Sequence, residues 1–157
     1  MGSEIYFSKD HELVRKAVRD FVNKEINPYV DEWEEKGIAP LHDLFKKMGD
    51  LGFLGIRYDE KYGGEGLDYW YETVVMEEFA RIHCGGVPMA IAVQMSMATP
   101  AIDEFGSEYL KETYLKPAIQ GDMVSAIAVT EPDAGSDVAA LKTFAKKDCS
   151  IILFLTK

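Results

Sequence analysis

Cysteine is scarce: only Cys84 and Cys149 carry a thiol in 157 residues. Two sulfurs without CxxC spacing build neither a disulfide framework nor a dithiol pair, and they fit a reducing compartment. Histidine is as sparse. His11, His42 and His83 lack the His-x-x-x-His or Cys-rich spacing that converges on zinc, so no metal site is expected and each reads as a solvated or helix-end residue. Basic charge is short as well, with 17 Lys and Arg against 27 Asp and Glu and a formal net charge of −10. Nucleic acid and anionic membrane surfaces would be repelled, and any phosphate site must rely on backbone N–H groups or on basic residues outside the chain. Long apolar runs are missing too. The longest, Val87 to Ala98, is too short for a transmembrane segment and contains Gln94. Neither a signal core nor an Arg-rich presequence opens the chain, Met1-Gly2-Ser3 reads as an expression remnant, and no internal repeat or low-complexity tract is visible.

What is present is a globular composition, 47% hydrophobic and 28% charged, enough for one sizeable core. The apolar spacing is mostly helical. Ser8 is a good N-cap, and Leu13, Ala17 and Phe21 beside Val14, Val18 and Val22 form one stripe at i, i+4 spacing. Asn27-Pro28 is expected to end that helix and open a second, with Val30 and Trp33 inward and Gly37 as its left-handed stop. Pro40 opens a third, carrying Leu41, Leu44, Phe45 and Met48. Gly55 to Gly66 reads as an ordered loop, followed by a helix bearing Tyr71, Val74, Val75, Phe79 and Ile82. A fifth helix from about Pro88 is apolar nearly all round and is expected to be central. Thr99-Pro100 caps a short helix ending at Gly106, and Ser107 starts another with Leu110, Tyr114 and Leu115 inward. The class is mainly α, a helical bundle with short connections. At Met123 the character changes, and Val124 to Thr130 is short, partly β-branched and bounded by Gly121-Asp122 and Pro132, which predicts a buried strand.

That strand leads into Thr130-Glu131-Pro132-Asp133-Ala134-Gly135-Ser136-Asp137, a hydroxyl- and glycine-rich turn. Such a turn can present backbone N–H groups to a phosphate or a polar ring edge, and it can equally be a turn and nothing more. The longer stretch Ala128 to Ala140 resembles, position for position, the signature of the acyl-CoA dehydrogenases. Further segments agree in order and approximate spacing: Leu51-Gly52-Phe53-Leu54-Gly55-Ile56, Tyr62-Gly63-Gly64, Glu77-Glu78-Phe79-Ala80-Arg81 and Phe105-Gly106-Ser107-Glu108. The resemblance covers nearly everything up to Asp148. The approach Ala126-Ile127-Ala128 is most similar to long-chain members.

The resemblance implies an N-terminal helical domain over residues 1–122, the first strand and flavin-contact segment of a following β domain over 123–148, and a divergent tail over 149–157. It implies FAD as cofactor, an acyl-CoA thioester as substrate and an electron-transferring flavoprotein as electron acceptor. Such enzymes take a proton from the α carbon while a hydride leaves the β carbon for the flavin, giving a trans-2-enoyl-CoA in fatty-acid oxidation. Ile127, Ala128, Val129, Thr130, Glu131, Pro132, Asp133, Ala134, Gly135 and Ser136 would run along the flavin, with Val129 and Thr130 at the ring's polar edge. Gly135 and Ser136 would approach the pyrophosphate, and Ser136 the coenzyme A arm of the substrate. Asp133 replaces a common glycine, and its charge suits that place only if it points away from phosphate. Glu131 and Asp137 are read as turn-stabilising or capping groups rather than as a catalytic pair. Counting back from Pro100, Pro88 and Ala92 fall where medium-chain relatives close the acyl pocket with polar side chains, so a deeper tunnel and a longer acyl chain are expected.

The resemblance ends after Asp148, and Ile151 to Leu155 is a short β-prone run that is an aggregation hazard if unpaired. The family's catalytic base lies beyond the matched region, so no catalytic residue is expected in this chain and it is not expected to turn over alone. A homo-oligomer, or pairing with a full-length relative, is expected through the surfaces that face the further domains. The rival reading is a non-catalytic helical module for interaction or acyl binding. Localisation in the mitochondrial matrix follows from resemblance alone.

Overall fold

Ser8 and His11 begin the first helix by satisfying each other. The Ser8 hydroxyl accepts from the His11 backbone N–H, and the Ser8 backbone N–H donates to His11 Nδ1 at 3.0 Å, which quiets two of the donors that a helix start leaves free. In the computed structural model, which describes residues 6–148 and 151–155, this helix, α1, spans Lys9–Phe21. The Met1-Gly2-Ser3 opening and Cys149 lie outside the described residues. The chain divides into two compact units between Ala126 and Ile127.

In the first unit α1 is not ended by Asn27-Pro28. It runs on through a π-helical segment, Val22–Ile26, and a 3-10 turn, Asn27–Tyr29, into α2, Val30–Lys36. Widening the helix by one residue before Pro28 lets the axis continue past a ring that has no N–H to donate. Asn27 therefore does not cap. Its amide donates to the Arg81 carbonyl at 3.2 Å, and its oxygen accepts the His83 N–H at 3.1 Å, tying down the loop after the fourth helix. Gly37, with φ of 67°, stops α2 in the left-handed conformation that a side chain would resist.

The remaining helices are α3 (Leu41–Asp50), α4 (Tyr69–Phe79), α5 (Gly86–Ala92), α6 (Thr99–Phe105), α7 (Glu108–Leu110) and α8 (Lys116–Ile119). Two more π-helical segments, Val93–Ala98 and Lys111–Leu115, fuse α5 to α6 and α7 to α8. Thr99 is consequently inside a continuous helix rather than at its start. Its hydroxyl lies against the Gln94 carbonyl, and the Tyr58 hydroxyl is 2.9 Å from the Met95 carbonyl and 2.7 Å from the Thr99 hydroxyl, so the two hydroxyl protons serve two of these three contacts at a time. These contacts satisfy carbonyls that the π segment and Pro100 displace from the ordinary ladder. Burial pushes the Tyr58 hydroxyl up to about 12, so it is a neutral donor.

The core joins Val18, Val22 and Ile26 to Phe45 and Met48 of α3, Val75 and Phe79 of α4, and Ile91 and Met95 along α5. Each such side chain contributes about 1.5–3 kcal/mol by leaving water. A smaller cluster of Tyr58, Tyr62, Leu115 and Ile119 seats the Gly55–Gly66 loop on the α7–α8 run. Several expected faces turn outward. Leu13 is 65% exposed and Ala17 is exposed, because α1 buries the His11, Val18, Phe21 side against α4. Likewise Leu110 and Tyr114 are exposed while Leu115 is fully buried. Helix α5 is not central: Val87 and Ile91 are buried, but Met89 is 59% exposed.

His11 is a helix-end residue but not a solvated one. It is buried, with its ring stacked on Tyr71 at 3.9 Å. Between α1 and α4 lies a buried charge: Glu78 has no exposed surface and accepts from Arg19 Nη2 at 2.7 Å and Nε at 2.9 Å, and from Arg15 at 3.3 Å. Arg81 adds an ion pair at 3.0 Å. The hydrogen bonds from Arg19, then Arg15, hold the Glu78 carboxyl below the usual carboxylate range against the opposing effect of burial.

In the second unit, Val138–Ala140 form a 3-10 turn and β1 (Phe144–Asp148) pairs antiparallel with β2 (Ile151–Leu155). The register sets Phe144 opposite Leu155 and Asp148 opposite Ile151. The apolar run Ile151–Leu155 is thus paired within its own chain, which uses main-chain groups that an unpaired strand would offer to other molecules. The predicted strand at Val124 to Thr130 does not form. Among the described residues no strand pairs with it, and Val124, Ile127 and Val129 are exposed. Strand propensity without a ladder partner leaves the backbone extended and irregular.

Candidate functional site

The candidate residues fall into two sets. Ile127 to Ser136 belong to the second unit, and Pro88 and Ala92 to α5 of the first.

From Ile127 to Thr130 the backbone is irregular, and no hydrogen bond to its N–H groups appears among the described residues. Free main-chain donors in an exposed segment require water or a ligand. The chain then turns sharply. Glu131 and Ala134 exchange backbone hydrogen bonds at 2.8 and 3.1 Å, enclosing Pro132 and Asp133, and Ala134 is buried under the turn. The Glu131 carboxylate accepts the N–H groups of Thr143 at 2.9 Å and Lys142 at 2.8 Å, one on each oxygen. Its pKa falls below the ordinary carboxylate value, first through Thr143 and then Lys142. A carboxylate so occupied pins the end of the turn and is a poor proton acceptor. Asp137 is also occupied, accepting the Ala139 N–H at 3.2 Å as the cap of the 3-10 turn.

Asp133 is drawn aside by Lys142, whose Nζ lies 2.6 Å from Oδ2. This neutralises the charge that would otherwise oppose a phosphate, although the pair is solvent-exposed and weak. Gly135 is informative in the opposite way from most glycines. It takes no left-handed φ, and a Cβ built on it would meet no protein atom within 4 Å. Gly85 and Gly86 are open in the same way, so the structure leaves room at Gly135 without itself requiring a bare Cα there. Ser136 beside it is exposed, with its hydroxyl available. Free N–H groups, an open glycine and a diverted carboxylate together fit a cofactor with a polar ring edge and a pyrophosphate.

On α5, Pro88 and Ala92 are half-buried and one helical turn apart, while Val87 and Ile91 point to the core. No long polar group stands at either position. Beyond them, exposed Ser96 donates to the buried Glu72 carboxylate at 2.8 Å, and Glu72 also pairs with Arg57. The residue least visible beforehand was Gln94. A lone amide in the apolar run Val87 to Ala98 was its one signal, and it proves to be 1% exposed and fully engaged. Among the described residues no cluster of His, Cys, Asp and Glu is arranged to hold a metal ion, and no helix is long and apolar enough to cross a membrane.

The described residues thus form a mainly helical domain followed by an irregular segment and a tight turn. Residues 8–122 match the family model described as acyl-CoA dehydrogenase, N-terminal domain, and the chain belongs to that family. It is 37% identical over 150 residues to the long-chain specific acyl-CoA dehydrogenase, mitochondrial, of Sus scrofa, covering 96% of this chain and 34% of the relative. It is 38% identical over 143 residues to the glutaryl-CoA dehydrogenase of Desulfococcus multivorans, covering 88% and 36%. The crystal structure of acyl-CoA dehydrogenase complexed with FAD from Bacillus anthracis superposes with a TM-score of 0.82 at 33% identity, covering 91% of this chain and 24% of that one. The chain therefore spans about a third of the length of these curated relatives.

Proposed function

We propose that Ile127 to Ser136 form one wall of an FAD site, and that Pro88 and Ala92 line the acyl channel, in an enzyme that dehydrogenates acyl-CoA thioesters between the α and β carbons. The N–H groups of Ile127 to Thr130, which have no acceptor among the described residues, carry this reading. FAD, when bound, supplies a hydride acceptor. This chain's residues bind and orient. Main-chain donors at Val129 and Thr130 would hold the polar edge of the ring and would stabilise charge gained on reduction. Gly135 would admit the pyrophosphate, Ser136 would reach the coenzyme A arm, and the Lys142–Asp133 pair would lessen the repulsion of Asp133 for phosphate.

Glu131 has both carboxylate oxygens on main-chain donors and Asp137 caps the 3-10 turn through one, so neither is assigned the α proton. Proton abstraction is thus not assigned to the described residues, and the 157-residue chain is expected to show no turnover alone. Small groups at Pro88 and Ala92 favour long acyl chains, consistent with the name of the pig relative, and an electron-transferring flavoprotein is the proposed electron acceptor. The same relative supports a mitochondrial setting, and a homo-oligomer is the proposed assembly.

Titration of free FAD with the protein, read by flavin fluorescence quenching, tests the site. Gly135→Ala is expected to weaken quenching several-fold while leaving the melting temperature unchanged, because a Cβ there meets no atom within 4 Å beyond its chain neighbours. Equal quenching by both proteins would remove Gly135 from the site.

A further inference from the structure

Gln94 lies in the π-helical segment that continues α5, two residues beyond Ala92 of the half-buried pair Pro88 and Ala92. Its amide nitrogen donates to the Ala118 carbonyl at 2.9 Å and to the Met123 carbonyl at 3.0 Å. Its oxygen accepts the Ser125 N–H at 2.7 Å. Both amide hydrogens and one acceptor position are used, all on main-chain groups, at a residue 1% exposed. Such an arrangement admits no other common side chain: a carboxylate would face two carbonyls without a donor, and an aliphatic group would leave three buried polar atoms unpartnered.

The targets matter as much as the number of bonds. Ala118 belongs to α8, whereas Met123 and Ser125 lie in the irregular segment that follows it, and Ser125 is two residues before Ile127. Without Gln94 the stretch Val124 to Thr130 has no strand partner among the described residues to hold it. Gln94 sits near the start of this widened stretch, Val93–Ala98, a form of helix that recurs at functional positions.

We propose that Gln94 is a positioning residue that fixes the path of Met123 to Ser125, the stretch by which the chain leaves the helical unit. This deepens the flavin-site reading and rests on it for its functional meaning, but the anchoring can be measured without flavin. A shift of the π segment moves Ser125 through one hydrogen bond.

Site-resolved amide exchange and 1H–15N spectra of the uniformly labelled chain provide the test. In the wild-type protein the Ser125 amide is expected to exchange at least 10-fold more slowly than those of Ala128 and Val129. In Gln94→Leu that protection is lost and the amide shifts of Ser125 to Thr130 move, while protection of Val75 and Ile91 persists. Gln94→Asn, too short to reach both sides, is expected to lose Ser125 protection while the protein stays folded. A purely structural role would instead lower the melting temperature with those shifts unchanged. An unprotected Ser125 amide in the wild-type protein overturns the proposal whether or not either variant folds. Failure of FAD to bind, with Ser125 protected and dependent on Gln94, would count against the flavin reading and leave the anchor standing.

Discussion

Replacing Glu78 by Gln removes one negative charge from the centre of the α1–α4 contact without changing its shape. Removing one member of a buried ion pair costs about 3–5 kcal/mol when the partner is left stranded. Here the partners are not equally stranded. The side chains of Arg19 and Arg81 are 43% and 61% exposed and can rehydrate, while Arg15, at 15%, keeps Glu77 at 2.6 Å. The expected loss is therefore smaller, about 1.5–3 kcal/mol, and a chain of this size should melt about 4–10 °C lower. Urea unfolding followed by far-UV circular dichroism gives the number directly. The pH dependence sharpens it. Because the folded pKa of Glu78 is lowered, its contribution is present above the unfolded value of about 4.3 and is lost as pH falls through the folded value. The gap between wild type and Glu78→Gln should be full at pH 7, begin to narrow as pH falls below the unfolded value of about 4.3, and close only below the lowered folded value. A change under about 0.5 kcal/mol at pH 7, or a gap that widens in acid, would refute the assignment of Glu78 as a stabilising buried charge.

Gly49→Ala should destabilise by about 1–3 kcal/mol or more, since its Cβ would sit 2.2 Å from the Gln120 main chain, and a thermal melt equal to wild type would contradict that close approach. Tyr58→Phe removes the donor to Met95 and the bond shared with Thr99, and should cost about 1–2 kcal/mol by chemical denaturation with secondary structure intact. Glu131→Gln should raise amide exchange at Lys142 and Thr143 several-fold without altering exchange in α1 or α4, and unchanged rates would show that the carboxylate does not pin the turn.

The helical class was legible because long apolar stripes and Ser8, Gly37 and Ser107 mark helix starts and stops by local chemistry. Where two neighbours decide, sequence spacing was not enough. Asn27-Pro28 and Thr99-Pro100 look like boundaries, yet π segments carry the helix through both, and the carbonyls displaced near Thr99 are satisfied by Tyr58 from a distant loop. Leu13 and Tyr114 read as core by periodicity and are exposed, because two overlapping stripes on one helix cannot both face the same neighbour. The turn at Thr130 to Asp137 was visible by motif. Its internal wiring was not, since Glu131 bonds residues eleven and twelve positions onward and Gln94 reaches across 31.

The wall formed by Ile127 to Ser136 can be probed directly by adding millimolar FAD to 15N-labelled protein and recording which amides shift. The purified protein is expected to be colourless and to bind FAD weakly, with the perturbed amides concentrated at Ile127 to Thr130 and at Gly135 and Ser136. Shifts scattered over α1 to α4 with these residues unmoved, or no shift anywhere at saturating FAD, would contradict a flavin site on this segment.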